Sequence, residues 1–217
     1  MSVHLMVRSA YTLLKSSLRV EDIVNEAVRQ GYDAVALSDY EVMHGAMAFY
    51  HACQKQGIKG IYGMEVHCVL SPGEQAVFVV LARNDEGFLQ LMKLSPRLQT
   101  QKEELTIEEL AAYAADCIVI TSGAEDVLYA LLVREDEAGL RRYLQQLQRT
   151  FTHLAVGITR NDSRFLAQRN QLLRKAADEM GITRVALAII CYRSAADEEA
   201  YRVLCAIDQG LQVDDKT

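Results

Sequence analysis

Three segments near the N-terminus decide the fold: HLMVRSAYTLLKSS (residues 4–17), VALSDYEVMHGAMAFY (residues 35–50) and GIKGIYGMEV (residues 57–66). Each contains a short apolar run typical of a buried strand. The second segment leads into a helical stripe of Met43, Ala46, Met47, Tyr50 and Cys53. Gly57 closes that stripe, at the position where a helix ends on a left-handed residue. We therefore expect strands and helices to alternate from the N-terminus onward.

The same alternation continues along the chain. Apolar runs at 34–37, 77–82, 117–121, 154–158 and 185–191 predict strands, and Gly31 and Gly181 are predicted to end two further helices. Consecutive apolar residues indicate strands buried on both faces, as in a parallel sheet covered by helices. Ser71-Pro72-Gly73-Glu74 is a turn that joins two strands directly. Three pairs fit the capping-box pattern of a helix start: Thr106 with Glu109, Ser122 with Glu125, and Ser194 with Asp197.

The number of strand–helix units favours a barrel over an open sheet, and no GxGxxG nucleotide fingerprint occurs. A chain of 217 residues suits one α/β domain. No stretch has the composition of a linker.

Cysteine usage and hydropathy point to a reducing, aqueous compartment. The five cysteines are scattered without CxxC spacing, which favours reduced thiols in the cytoplasm over a disulfide framework. The start of the chain shows no basic-then-apolar signal sequence, and no apolar run approaches the ~20 residues of a membrane helix.

The acidic charge balance limits how this chain meets nucleic acid. Its net charge is −6 and its pI is about 5.4. Phosphate neutralisation supplies much of the affinity for DNA, so a surface that gripped DNA alone would be basic. We expect that DNA is not bound mainly by this chain.

The three segments resemble the PHP (polymerase and histidinol phosphatase) domain, in the version found at the N-terminus of bacterial DNA polymerase III alpha subunits. In that family the segments read like HLHVHSxYSLLDG, ALTDHGNMFGAVEFY and GIKPIIGCEV. A later stretch, LARNDEGFLQLMKLS (residues 81–95), matches LAKNxEGYxNLMKLS. The matching framework residues are His4, Leu5, Val7, Ser9, Tyr11, Leu13, Leu14, Asp39, Met43, Gly45, Ala46, Phe49, Tyr50, Gly57, Ile58, Lys59, Gly63, Glu65 and Val66. The resemblance implies a distorted TIM-like (β/α)7 barrel of the PHP superfamily, formed by residues 1–217 as a single domain. It also suggests an excised N-terminal fragment of a much longer polymerase.

In the PHP family, histidines and carboxylates at the barrel mouth hold two or three divalent metals that activate water for phosphate ester hydrolysis. This sequence departs from that pattern at nearly every ligand. The positions that correspond to ligands are Met6, Arg8, Lys15, Tyr40, Glu65, Val77, Ala124, Ile189 and Cys191. Glu65 alone keeps the usual ligand type. We therefore expect no catalytic residues and no bound metal in this domain.

A lone carboxylate in a partly buried cleft is costly unless it is paired. We predict that Glu65 pairs with Arg8, with Lys15 or with both, and Arg8 is favoured because its guanidinium can bind a carboxylate through two parallel hydrogen bonds. Two alternatives stay open at the same cleft. Arg8 and Lys15 could hold a phosphate or other anion, and Glu65 with His67 could form a residual metal pair. Cys191 is interpreted as a small buried residue.

The resemblance implies that the parent protein is a DNA-directed DNA polymerase, a nucleotidyltransferase that uses Mg²⁺. The domain itself needs no cofactor and is expected to have a structural or subunit-docking role. Its expected partners are the rest of the polymerase chain, a proofreading exonuclease or other replisome subunits, and DNA through the parent enzyme. The alternative is a metal-dependent phosphoesterase or 3′–5′ exonuclease of the PHP superfamily.

Overall fold

A computed structural model of the chain describes residues 3–71, 73–101, 103–122, 126–159 and 164–211. Strands and helices alternate along most of these ranges, as predicted, although in two places a strand follows a strand and in two places a helix follows a helix. The strands are β1 (Met6–Val7), β2 (Ala34–Tyr40), β3 (Lys59–Ser71), β4 (Glu74–Ala82), β5 (Cys117–Thr121), β6 (Leu154–Thr159), β7 (Thr183–Leu187) and β8 (Ile189–Ile190). The helices are α1 (Val20–Arg29), α2 (Ala46–Gln56), α3 (Asp85–Thr100), α4 (Ile107–Tyr113), α5 (Val127–Val133), α6 (Glu137–Thr150), α7 (Arg164–Glu179) and α8 (Glu198–Gln209). The single strand expected over 185–191 is wrong, because β7 ends at Leu187 and β8 starts at Ile189 with a different partner.

The chain divides into two compact units. The first comprises residues up to Met64 and those from Ile189 onward, and the second runs from Glu65 to Ala188. The expectation of one domain over residues 1–217 stays a prediction.

In the first unit, β1 pairs with β8 in parallel, with Met6 opposite Ile189 and Val7 opposite Ile190. The next strand, β2, lies beside β1, where the N–H of Val7 donates to Ser38 Oγ at 2.9 Å. Helices α1 and α2 contact each other and cover an apolar core. That core consists of Val7, Leu18, Val20, Ile23, Val24, Ala27, Val35, Leu37, Phe49 and Cys53. Buried residues recur on α1 at a helical period, which explains why this segment folds as a helix against the strands.

In the second unit the strand order is β3, β4, β5, β6, β7. The pairs β5–β6 and β6–β7 are parallel, but β4 and β5 are antiparallel. The prediction of a parallel sheet is therefore wrong for this part. β3 ends at Ser71 and β4 begins at Glu74, and the two strands are neighbours in the sheet. The chain leaves the sheet at Ala82, the last residue of β4. After helices α3 and α4 it re-enters the sheet at the same end, where Cys117 of β5 lies opposite Ala82.

The predicted helix ends are confirmed at three glycines. Gly31, Gly57 and Gly181 have φ angles of 71°, 67° and 66°, in the left-handed region that glycine adopts without steric cost. The capping box at α4 is also confirmed: Thr106 Oγ1 accepts from the N–H of Glu109, whose side chain accepts from the N–H of Thr106.

The other two predicted capping boxes fare differently. At Ser194 the prediction is wrong, because its hydroxyl donates to the Asp197 carboxylate at 2.8 Å and caps no backbone N–H. The Ser122–Glu125 pair cannot be placed, since Glu125 lies outside the described residues. In the described ranges no helix has the length and apolar character required to cross a bilayer.

Candidate functional site

A buried carboxylate, Asp39, holds the loop that follows β1. Its Oδ1 accepts hydrogen bonds from the N–H of Ser9 at 2.5 Å and from the hydroxyl of Thr12 at 2.8 Å. Its Oδ2 accepts from Ser9 Oγ at 2.8 Å. The Thr12 hydroxyl accepts in turn from the N–H of Tyr40 at 3.0 Å. The loop is therefore fixed at the carboxyl end of β2, the edge where barrel enzymes place their chemistry.

Burial raises the pKa of Asp39 above its ordinary value. The hydrogen bonds from Ser9 and Thr12, and the charge of Arg8, offset part of that rise. Asp39 is one of the framework residues that match the family, and here its carboxylate accepts from donors of its own unit.

The raised pKa of Asp39 predicts a pH dependence of stability. The folded state holds this proton more tightly than the unfolded chain, so the contribution is present at low pH and lost as pH rises through the folded-state pKa. We expect the free energy of unfolding of the unchanged chain, relative to Asp39→Asn, to increase as pH falls from 7 to about 4. Urea titrations of both proteins at intervals across that range measure it. A difference that stays constant, or moves in favour of the variant, would contradict the assignment.

The same loop is fastened to the end of β8. Ser16 Oγ lies 2.7 Å from the carbonyl oxygen of Arg8 and 2.9 Å from that of Cys191. The N–H of Ser17 donates to the Cys191 carbonyl at 3.0 Å, and the N–H of Arg8 donates to the Ile190 carbonyl at 2.9 Å. Arg8 and Cys191, two positions that the sequence predicts to correspond to family ligands, are thus brought together by backbone contacts.

Two further positions of that set, Lys15 and Tyr40, also meet. Lys15 Nζ lies 3.0 Å from Asp208 Oδ2 on α8 and 5.2 Å from the centre of the Tyr40 ring. Asp208 was not predicted as a partner of Lys15. The two residues are 193 positions apart, and no sequence spacing reports a contact of that range.

The Lys15–Asp208 pair is about one-third exposed on both sides, so it is expected to contribute modestly. A double-mutant cycle of Lys15→Ala and Asp208→Ala should give a coupling free energy of about 0.2–1 kcal/mol. That coupling should fall in 1 M NaCl. The same cycle with Glu21→Ala, which removes an exposed acid of α1, is the control and should show none. A coupling above about 2 kcal/mol would show that the pair is not solvent-screened.

Cys191 is buried, and burial raises the pKa of its thiol. The nearby Tyr201 hydroxyl and the charge of Arg8 act in the opposite direction and lower the Cys191 pKa, without outweighing burial. A protonated, buried thiol is a poor metal ligand and a poor nucleophile. The interpretation of Cys191 as a small buried residue agrees with this placement.

The donor set in the first unit does not fit a divalent cation. Met6 is 1% exposed and offers a soft thioether, and Ile189 offers only hydrocarbon. Arg8 and Lys15 are cations, and Tyr40 is a phenol. Hard and borderline ions need several carboxylates or imidazoles. Across the residues that the structure describes, no three His, Cys, Asp or Glu side chains are arranged to hold a metal ion.

The second unit contains the remaining positions. Glu65 and His67 lie on one face of β3, with Glu65 Oε1 3.5 Å from His67 Nε2, as their spacing of two predicts. Glu65 is 2% exposed, and Val77 is buried in β4. Ala124 lies outside the described residues. The pairing of Glu65 with Arg8 or Lys15, and anion binding by those two cations, stay predictions.

Asp126 is a buried acid that sequence reasoning missed. Its carboxylate accepts from the N–H of Tyr129 at 2.9 Å, which caps α5, and from the N–H of Val77 at 3.2 Å, which ties that cap to β4. Burial raises its pKa. The signal was present, because Asp is a preferred N-cap, but Ser122 competed for the helix start.

Near Asp126, the buried Tyr143 hydroxyl has no hydrogen-bond partner among the described residues. Burial, with the nearby Asp126 and Cys68, raises the pKa of Tyr143. An unsatisfied buried hydroxyl costs about 1–3 kcal/mol, so Tyr143→Phe is expected to raise the free energy of unfolding by about 1 kcal/mol. Urea denaturation measures it, with Tyr113→Phe as a half-exposed control that should change little. A loss of stability in Tyr143→Phe would mean that the hydroxyl is satisfied in solution.

Comparison of the sequence with known protein families identifies the family of this chain. The sequence profile of the PHP domain matches residues 4–162. This chain belongs to the PHP domain family. The resemblance to the PHP domain that the first three segments indicated is thereby confirmed.

This chain is similar in sequence to subunits of bacterial DNA polymerases. It is 34% identical to the DNA polymerase III subunit alpha of Bacillus subtilis over 98% of this chain, and 34% identical to that of Halalkalibacterium halodurans over 99%. Staphylococcus aureus has a subunit of the same name that is 28% identical over 99% of this chain. The PHP domain spans about a fifth of the length of these relatives, 17–19%.

Solved structures confirm the fold class. An amidohydrolase from Chromobacterium violaceum, with bound sulfate and no metal, matches with a TM-score of 0.65 at 10% identity, over 89% of each chain. A protein named as a metal-dependent phosphoesterase from Bifidobacterium adolescentis matches with a TM-score of 0.56 at 12% identity, over 87% of this chain and 86% of that one. At such low identity these likenesses show the fold alone: the predicted α/β, TIM-like architecture of the PHP superfamily.

Proposed function

We propose that this PHP domain is the N-terminal part of a bacterial DNA polymerase III alpha subunit, and that it serves DNA synthesis without hydrolysing phosphate esters itself. In this proposal it stabilises the polymerase and offers a docking surface to other subunits. The parent enzyme uses Mg²⁺ to extend DNA in the cytoplasm. The named relatives, similar along almost the whole chain, support the polymerase assignment.

One observation carries the loss of hydrolytic activity. The family's ligand positions in the first unit hold Met6, Arg8, Lys15 and Tyr40, and Lys15 forms an ion pair with Asp208. None of these four side chains offers the carboxylate or imidazole donor that a divalent metal needs, and the charge of Lys15 is already balanced by Asp208 of the same unit. The role that remains for such a domain is structural: it packs against the rest of the polymerase and offers a surface to other subunits.

Metal content and turnover test the inactive site. The purified chain is loaded with Mn²⁺, Zn²⁺ or Fe²⁺, desalted, and analysed for bound metal. It is then assayed with p-nitrophenyl phosphate and with 3′-labelled single-stranded DNA. We expect less than one equivalent of metal and no turnover, whereas a PHP protein with the HxH and DH motifs should score in both assays. Stoichiometric metal with metal-dependent turnover would support the alternative, a PHP phosphoesterase or 3′–5′ exonuclease.

The polymerase assignment is tested separately by the genomic reading frame. We expect the coding sequence to continue beyond Thr217 into a polymerase body with the carboxylates that bind Mg²⁺ for nucleotidyl transfer. A proofreading exonuclease and other replisome subunits are the proposed partners of the resulting protein. A stop codon directly after Thr217 would overturn this part of the proposal, whatever the metal assays give.

A further inference from the structure

A cavity of about 310 Å³ lies in the first unit, apart from the ligand positions described above. It is lined by α1 together with Val7 of β1, Val35 of β2 and Ile190 of β8. Ligand sites in proteins begin at about this volume and combine apolar walls with a few placed polar groups. The cavity is therefore large enough to hold one small ligand.

The floor of the cavity is apolar and the wall is aromatic. Val7, Leu18, Ile23, Ala27 and Val35 are each at most 6% exposed. Tyr32 and Tyr192 line the wall with His4, whose ring packs edge-on to Tyr32 at 5.6 Å between centroids. Such a floor accepts hydrocarbon or an aromatic ring, and tyrosine faces attract cations.

The charges around the cavity differ in how far they are already neutralised. Glu26 accepts from Arg29 at 2.6 and 2.8 Å and from Gln30 at 2.7 Å. Arg193 Nε lies 3.5 Å from Asp197. Asp22 is half-buried, and among the described residues its carboxylate has neither an ion pair nor a hydrogen bond. The charge left for a ligand is therefore the negative charge of Asp22.

We propose that this cavity binds an organic cation, an aromatic or aliphatic amine whose body rests on the apolar floor and whose ammonium group faces Asp22. The amine belongs either to a free small molecule or to a lysine flanked by an aromatic residue on a protein segment. Both sources present the same chemistry. This site does not depend on the polymerase assignment.

Three indoles that differ in the charge of the side chain test the charge requirement on the intact chain. Tryptamine carries an ammonium group, tryptophol a hydroxyl and indole-3-propionate a carboxylate. Titration followed by amide NMR should show tryptamine binding about 5-fold more tightly than tryptophol, as expected for one partly screened ion pair, with indole-3-propionate weakest. Shifts should centre on residues near Tyr32, Tyr192 and Ile23.

Two variants separate the charge from the fold. Asp22→Asn should reduce tryptamine to the affinity of tryptophol and leave tryptophol unchanged. Glu21→Gln, the adjacent exposed acid that does not line the cavity, should alter neither. Equal affinity for the three indoles, shifts confined to other surfaces, or the same ligand order in Asp22→Asn would overturn the proposal.

A peptide arm distinguishes the two sources. Acetyl-Lys-Trp-Lys-amide should bind at least as tightly as tryptamine if the natural occupant is a protein segment. Binding of tryptamine without binding of the peptide supports a free amine. If neither binds at millimolar concentration, the cavity is not an amine site.

Discussion

Replacing Asp39 by alanine is expected to lower the free energy of unfolding by about 3–5 kcal/mol. The truncation removes the acceptor of three donors at once, the N–H and hydroxyl of Ser9 and the hydroxyl of Thr12. Each buried donor left unsatisfied costs about 1–3 kcal/mol, and removing one member of a buried charged network falls in the same total range. Urea denaturation followed by circular dichroism measures the change.

The contrast with asparagine makes this prediction specific. Asp39→Asn keeps an acceptor oxygen and removes the buried charge, so it should cost less than half as much as alanine. Asp33→Ala, at an exposed aspartate just before β2, should be within about 0.5 kcal/mol of the unchanged chain. If Asp39→Ala cost no more than Asp33→Ala, the loop after β1 would not depend on this carboxylate.

Gly157→Ala is expected to cost about 3 kcal/mol or more. A methyl group at Gly157 in β6 would overlap the carbonyl oxygen of Thr121 in β5 and lie 2.8 Å from Leu187 Cδ2 in β7. The Thr121 oxygen belongs to the backbone of a buried strand, so relief requires a shift of the sheet. Thermal and urea unfolding report the loss, and a large effect would appear as failure to accumulate folded protein.

Gly60→Ala is the matched control, a second strand glycine. A methyl group there would meet side-chain atoms of Phe49, Tyr62 and Cys53 at 3.2–3.3 Å. Side chains can adjust by a few tenths of an ångström, so the expected cost is about 1 kcal/mol or less. Similar stability for the two variants would mean that the strand spacing at Gly157 is not fixed.

The local features of the fold could be predicted because their signals are short-range. Gly31, Gly57 and Gly181 lie within a few residues of the ends of their apolar stripes, and the Thr106–Glu109 capping box spans a single turn. The antiparallel step from β4 to β5 could not be predicted, because apolar runs report burial and carry no strand direction.

The candidate site was predictable only as a set of substitutions. The family motifs predict that Met6, Arg8, Lys15 and Tyr40 occupy ligand positions, and they give no information on the contacts of these residues. Asp208, which pairs with Lys15, and Tyr201, which binds Cys191, both belong to α8, far along the chain. Contacts of this range depend on the tertiary fold.

The first unit is formed by two separate parts of the chain, and this has a consequence for its folding during synthesis on the ribosome. Roughly 125 residues separate Met64 from Ile189, so β1 has no β8 to pair with when it leaves the exit tunnel. At ~5–20 residues per second that interval lasts roughly 6–25 s. The second unit can fold within it, because all of its strands are contiguous in sequence. During that interval β1 lacks its β8 partner, and the contacts available to it from its own unit are those with β2.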